Sequence, residues 1–400
     1  MTVELIVSAL PGEIRAARLD DGRLSDLLIL RAGPAGAAVA PQAGDLFLAK
    51  VKRYEKGLDG AFVDLGLARD GLLPKKEAPQ GLPSEGGSIA VKVVRAPSDD
   101  PGNEKGARVS ARNLVLAPEQ LEGVTAPARL AAGSSALADF AMQRAVDRVV
   151  ADDAGLLRQL KAVIGEESCS FALPSTPGDL FEAEGLEGEL EALLIPRVEL
   201  ARGGFLLIEP GRTLTAIDVN AGRHEARGGQ AAQARAVNLA AVPEIARQLR
   251  LRALCGLIVV DFLALKAPED RKAVASALKQ AVAGDPEPCQ VFGISPSGLL
   301  EMTRRRGRAP LHELLCRSCG LAGSGREKTP ETLAYEALRH VAAEARGKVV
   351  QDLTLRVGPA TAAALRGAQA AALQTVEQRL GRAIAVEADP LVAGYTLVLG

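Results

Sequence analysis

Two segments of this 400-residue chain, 214–219 and 257–262, are apolar runs that each carry a single aspartate, Asp218 and Asp261. A carboxylate buried in an apolar strand is costly unless it finds a partner. From residue 205 onward the pattern alternates strand and helix: strands at 205–209, 214–219, 257–262 and 289–294, helices at 231–251 and 269–282. Such alternation predicts a mixed or parallel sheet covered by helices. With the two apolar strands side by side, Asp218 and Asp261 meet at one edge, and a hard divalent cation relieves the repulsion between them. A Mg²⁺ so held polarises a phosphodiester oxygen and lowers the pKa of a bound water. Asn220 lies two residues beyond Asp218 and so projects to the same face, where it can orient a phosphate or the attacking water. The same aspartates also suit a structural role, capping loops or pairing with arginines. The nearby Arg223, Arg227, Arg247, Arg250 and Arg252 fit either a grip on a polyanion or a solvated helix face.

The remainder of the chain is organised differently. Strands are expected at 3–7, 13–18 and 27–31, then a Gly/Pro break at 32–36. Residues 44–116 read as five short strands, at 46–54, 60–65, 70–73, 88–95 and 107–116, which fits a small Greek-key barrel. An Ala-rich stretch follows, with a helical pattern over 137–163. After a Gly/Cys-rich linker at 316–325 comes an α+β tail: helix 330–345, strand 350–357, helix 361–380 and strands 384–388 and 395–399.

Composition excludes several classes. Lys and Arg number 48 against 49 Asp and Glu, which argues against a protein that coats nucleic acid indiscriminately. No stretch approaches 18 uncharged apolar residues, so no membrane span is expected, and Met1-Thr2-Val3-Glu4 lacks the basic start of a secretory signal, which makes the cytoplasm the default. Three histidines allow no His-rich metal site, and five cysteines argue against a disulfide framework. Cys169, Cys255 and Cys289 read as buried thiols. Cys316 and Cys319 have the spacing of a zinc half-site, but a structural zinc wants four ligands and no second pair exists. Completion by a second chain, a redox pair and two plain thiols all remain open; His312 is expected at the surface. With no Trp, eight Phe and three Tyr, any base stacking rests on few rings, and Phe62 is a candidate for either such a ring or the barrel core.

The motifs Leu214-Thr215-Ala216-Ile217-Asp218-Val219-Asn220-Ala221-Gly222-Arg223, Gly256-Leu257-Ile258-Val259-Val260-Asp261-Phe262, Gly298-Leu299-Leu300-Glu301-Met302-Thr303-Arg304 and Cys316-Arg317-Ser318-Cys319, in that order, resemble the bacterial ribonuclease E/G family. Gly44-Asp45-Leu46-Phe47-Leu48 with Gly60-Ala61-Phe62-Val63-Asp64 and Gly71-Leu72-Leu73-Pro74 resembles an S1-type OB barrel. The resemblance implies an α+β multidomain protein: an RNase-H-like remnant at 1–38, an S1/OB RNA-binding barrel at 39–117, a reduced helical connector at 118–174, a DNase-I-like α/β catalytic core at 175–311, a zinc linker at 312–328 and a small α+β C-terminal oligomerisation domain at 329–400.

It further implies an endoribonuclease that cuts single-stranded RNA in ribosomal RNA processing and messenger RNA decay, leaving 5′-phosphate ends. Asp218 and Asp261 would hold Mg²⁺ with help from Asn220, and Phe62 and Lys105 would contact RNA, with Arg223 and Arg227 as further backbone contacts. Cys316 and Cys319 would share Zn²⁺ across a dimer, and the tail would pack dimers into tetramers. Two departures stand out. Leu72 replaces the family's usual Phe, and the segment 118–171 is too short for the family's 5′-monophosphate sensor, so cleavage without 5′-end sensing is expected. The shortened segment also leaves room for a non-catalytic RNA-binding protein built on the barrel.

Overall fold

Three antiparallel strands open the chain: β1 (Val3–Leu10), β2 (Glu13–Asp20) and β3 (Arg23–Arg31), joined by tight turns at Gly12 and Asp21-Gly22. The computed structural model describes residues 2–31, 41, 44–95, 97, 106–112, 114, 121, 123–131, 134–174, 179–201, 203–222, 229–319, 325–345 and 353–399. The chain divides into two units, Met1–Ala17 with Leu28–Ala183 and Gly325–Gly400, and Arg18–Leu27 with Glu184–Ser324.

In the first unit, β4 (Leu46–Glu55), β5 (Gly60–Asp64), β6 (Gly71–Pro74), β7 (Ser88–Arg95) and β8 (Arg108–Ser110) pair in the order β4-β5-β6-β8-β7, and β4 returns to β7 to close a five-strand barrel. β9 (Ala128–Ala131) adds to the outer side of β4. Alternate residues fill the barrel: Phe47, Ala49 and Val51 from β4, Ala61 and Val63 from β5, Leu73 from β6, Val91 and Val93 from β7 and Val109 from β8. Gly60 and Gly71 are required by closure. A Cβ at Gly60 would sit 2.6 Å from the Leu73 carbonyl oxygen, and one at Gly71 would sit 2.9 Å from a Leu65 methyl.

The helix expected over 137–163 is broken in two. α1 (Ser134–Met142) leads to β10 (Arg148–Ala151), and α2 (Ala154–Ile164) leads to β11 (Ser170–Ala172). The reason is local chemistry that a helical pattern hides. Val149-Val150 favours a strand, and the Asp153 side chain caps α2 by accepting from the Leu156 N–H at 2.8 Å. β10 pairs parallel with β1, Glu4 opposite Arg148, and β11 pairs parallel with β10, giving the order β11-β10-β1-β2-β3. The expected boundaries at 38 and 118 therefore cut through a single sheet. The segment expected as 1–38 supplies β1, β2 and β3 of this sheet, and the segment expected as 118–174 supplies β10 and β11.

Short helices α3 (Leu180–Ala183) and α4 (Leu186–Ala192) precede β12 (Arg197–Glu199), β13 (Phe205–Pro210), β14 (Leu214–Asn220), α5 (Gly229–Leu251), β15 (Gly256–Asp261), α6 (Pro268–Ala281), β16 (Cys289–Ile294) and β17 (Leu299–Arg304). Their strands form the sheet of the second unit, in the order β12-β13-β14-β15-β17-β16, with β14 and β15 parallel. One face packs against α5 and α6 through Leu206, Ile208, Ile217, Val219, Ile258, Val260, Leu300 and Met302. Truncating one such residue to alanine costs about 2–5 kcal/mol. The 299–304 segment, expected only as a motif, is an interior strand of this sheet, between β15 and β16.

α7 (Leu311–Leu315), which carries the half-buried His312, leads into β18 (Cys316–Cys319), and β19 spans Gly325–Lys328. The tail follows with α8 (Pro330–Glu344), β20 (Leu353–Val357), α9 (Pro359–Arg366), α10 (Ala370–Leu380), β21 (Ala385–Ala388) and β22 (Tyr395–Leu399), its strands in the order β21-β20-β22. The single helix expected at 361–380 breaks at Gly367, which caps α9 through its N–H.

A buried ionic cluster joins the tail to the N-terminal sheet within the first unit. Glu13 accepts from Arg15 Nε at 3.0 Å, Arg31 Nε at 2.7 Å and an Arg339 terminal nitrogen at 3.2 Å. Burial pushes the Glu13 carboxyl up, and the three guanidiniums outweigh it, bringing its pKa down to about 2. The other terminal nitrogen of Arg339 reaches Ser8 Oγ at 2.9 Å and Asp179 at 3.4 Å, and Ser8 Oγ donates to Asp152 at 2.7 Å.

Candidate active site

The parallel register of β14 and β15 sets Ile217 opposite Val260 and Asp218 opposite Asp261, at the C-terminal ends of the two strands. Alternation then decides the faces. Ile217, Val219 and Val260 enter the core, while Asp218 and Asp261 stand exposed on the face that α5 and α6 leave open. Asn220, half-buried, donates from Nδ2 to Asp218 Oδ2 at 2.7 Å. The three candidates named from sequence thus come together. Asn220 holds one carboxylate oxygen, and its own carbonyl oxygen is the end left to face a ligand.

Two glycines shape this end of β14. Gly204 has φ +85°, and a Cβ there would lie 2.4 Å from the Asn220 carbonyl oxygen. Gly222 has φ +62°, and its Cβ would meet Gly204 at 3.2 Å. Only glycine fits this crossing of loop over strand. Behind the sheet, Asn238 of α5 is fully buried; it donates to the Leu263 carbonyl at 2.9 Å and accepts from the Leu263 N–H at 3.0 Å. This clamp fixes the chain just after Asp261. Sequence reasoning missed it, although a lone polar residue on the apolar side of a helix was the available signal.

The arginines near the motif divide. Arg247 bonds Glu244, Glu189 and the Leu24 carbonyl, and Arg252, 4% exposed, bonds Gln248 and the Ile195 carbonyl. These two are internal braces of the second unit and grip no polyanion. Arg304 likewise forks onto Asp285 at 3.0 and 2.8 Å. Arg223 and Arg227, and Lys105 in the barrel, lie outside the described residues.

On the barrel, Phe62 is half-buried and stands apart from the core side chains, with the Arg53 guanidinium 4.7 Å from its ring centroid. It faces outward between Arg53 on β4 and Leu72 on β6, its cross-strand neighbours. Beside it Lys52 bonds Asp70 at 2.7 Å, and that carboxylate raises the lysine pKa.

Two exposed carboxylates and a carboxamide suit Mg²⁺, which is usually held by one or two carboxylates together with water and substrate phosphates. Among the described residues no group of three or more His, Cys, Asp or Glu is arranged to hold a metal. Cys316 and Cys319 are half-buried, outside any disulfide, at the two ends of β18. Among the described residues, no helix is long and apolar enough to cross a membrane.

The family model described as "Ribonuclease E/G family" matches residues 124–307, a span that includes β14, β15 and both aspartates. Over that span the chain is similar to the ribonuclease E/G family. Ribonuclease G of Salmonella typhimurium (strain SL1344) is 28% identical over 488 aligned positions, covering 98% of this chain and 98% of that protein. Ribonuclease G of Escherichia coli (strain K12) is 27% identical with the same coverage. Ribonuclease E of Escherichia coli (strain K12) is 28% identical over 92% of this chain and 43% of that protein. Since 98% of 400 residues is 392, about 96 of the 488 positions aligned with the Salmonella protein have no residue from this chain.

Proposed function

We propose that the protein is a Mg²⁺-dependent endoribonuclease, a hydrolase that cuts single-stranded RNA and leaves 5′-phosphate and 3′-hydroxyl ends. The observation that carries this reading is the in-register pair Asp218 and Asp261 on an open sheet face, with Asn220 bonded to Asp218. The names of its relatives, ribonucleases G and E, point the same way. Asp218 and Asp261 would hold the cation, which when bound would polarise the scissile phosphate and acidify a water. Asn220 keeps Asp218 oriented and turns its carbonyl oxygen toward phosphate or water. The exposure of both aspartates leaves room for the water ligands that Mg²⁺ retains.

The six-strand sheet with α5 and α6 is read as the DNase-I-like core, and the barrel as an S1-type OB domain that receives RNA on Phe62, with Lys105, Arg223 and Arg227 as backbone contacts. The outward Phe62–Arg53 stack supports this role, since such barrels combine aromatic stacking with cations. Cys316 and Cys319 supply half of a Zn²⁺ site completed by a second copy, and the tail carries dimers into tetramers. The substrates are precursor ribosomal RNA and messenger RNA in the cytoplasm. Cleavage proceeds without 5′-end sensing: residues 134–172 are taken up by α1, β10, α2 and β11, and about 96 positions of the ribonuclease G alignment have no counterpart here.

The test is cleavage of one fluorescent single-stranded RNA, carrying either a 5′-hydroxyl or a 5′-monophosphate, with Mg²⁺, by wild type and Asp261→Ala. Equal cleavage of both RNAs, lost in the variant, is expected. Strong preference for the monophosphate would overturn the claim about sensing. Binding without cleavage would overturn the enzyme reading.

A further inference from the structure

The open face of the catalytic sheet carries an aromatic side chain that its core does not use. On β13 the core-facing residues are Leu206 and Ile208; Phe205 points the other way and is half-buried. In the β13–β14 register Phe205 lies directly opposite Asn220, and Leu207 lies opposite Asp218. Phe205 therefore stands one strand spacing, about 4.8 Å between backbones, from Asn220, the residue that orients Asp218. On the next strand, Arg197 lays its guanidinium 3.5 Å from the Phe205 ring centroid. Glu199 Oε1 accepts from Arg197 Nε at 2.5 Å, which holds the guanidinium in place over the ring. Among the described strand residues of this face Arg197 is the one cation, amid Glu199, Glu209, Asp218, Asp261 and Glu301.

We propose that Arg197 stacked on Phe205 is a base platform for the nucleotide flanking the scissile phosphate of a single-stranded RNA. The inference rests on the ribonuclease reading above and adds a positioning subsite to it. A guanidinium plane and an aromatic ring are the two surfaces on which unpaired bases stack. Stacking is indifferent to sequence, whereas its place beside Asn220 is not. A base seated there fixes where the adjoining phosphate falls, on the carboxylates of the same face. The positive charge also offsets the acidic surroundings that would otherwise repel the RNA backbone. Arg197 and Phe205 act through the substrate's position and take no part in bond making.

The experiment uses the full-length protein and a short RNA with one cleavage site, scanned with single abasic nucleotides. Wild type, Arg197→Ala, Phe205→Ala and Phe205→Trp are compared in kcat/KM and in Kd, with Asp218→Ala and Asp261→Ala as controls. One abasic position next to the cut should lower kcat/KM roughly 5- to 150-fold in wild type, the range for one lost stack of about 1–3 kcal/mol. The same position should have little further effect in Arg197→Ala or Phe205→Ala, while Phe205→Trp should keep wild-type sensitivity. A merely structural role would not produce this coupling to one nucleotide. If no abasic position couples to Arg197 or Phe205 while cleavage still depends on Asp218 and Asp261, the platform is overturned and the ribonuclease reading stands. If cleavage survives the aspartate variants while the coupling in Kd persists, the catalytic reading is overturned and the platform stands.

Discussion

Replacing Glu13 by Gln tests the buried cluster that ties α8 to the N-terminal sheet. Glu13 is 1% exposed and takes hydrogen bonds from Arg15, Arg31 and Arg339. Its pKa falls from 4.5 in the free carboxyl to about 2 in the fold. A depression of about 2.5 units at 1.36 kcal/mol per unit corresponds to about 3 kcal/mol of stability. The group is buried, so solvent screening takes little of this away. Because the folded pKa is the lower one, the stability is fully present above about pH 4.5 and drains away as pH falls toward 2. Removing the charge also takes a shared carboxylate from three guanidiniums, and breaking a buried pair typically costs about 3–5 kcal/mol. Hydrogen exchange followed by mass spectrometry reads this locally. In Glu13→Gln, peptides covering 3–31 and 330–344 should open with a free energy lower by about 3 kcal/mol at pH 7. Between pH 5 and 3 the wild type should lose protection in those peptides, and the variant should lose much less. A variant within about 1 kcal/mol of wild type, or one with an unchanged pH profile, would refute the assignment of the cluster as the tie.

Phe62→Ala should weaken single-stranded RNA binding by about 1–3 kcal/mol while leaving the barrel folded, because the ring lies outside its core; fluorescence anisotropy with a circular dichroism control reads both. Gly204→Ala places a methyl group 2.4 Å from the Asn220 carbonyl oxygen at a backbone angle L-residues rarely adopt, so cleavage should fall at least tenfold with the sheet intact, measured as single-turnover rate. Stringent zinc removal, or Cys316→Ser with Cys319→Ser, should lower the mass seen by light scattering; an unchanged mass refutes the shared site.

Much of the site was legible because its signals are local. An aspartate in an apolar strand, an asparagine two residues on and a glycine after that are read directly from residues 214–222, and strand alternation assigns their face. Phe62 was ambiguous between core and surface, since a single ring does not reveal the phase of its strand; the register Arg53–Phe62–Leu72 decides it. Arg247 and Arg252 resembled polyanion ligands because charge alone does not show which side of a helix meets carboxylates.

By itself the sequence determined where strands and helices alternate, which residues of the 214–222 and 256–262 motifs carry carboxylates, and the period-2 pattern of the barrel. Only the tertiary structure decided that β10 pairs with β1 across 144 residues, that Glu13 gathers Arg15, Arg31 and Arg339, and that Arg197 lies on Phe205 beside Asn220. The reason is physical. Propensity, capping and side-chain period act over a few residues and leave a mark in the chain, whereas strand partners and buried ion clusters are chosen by the packing of distant segments and leave no local mark.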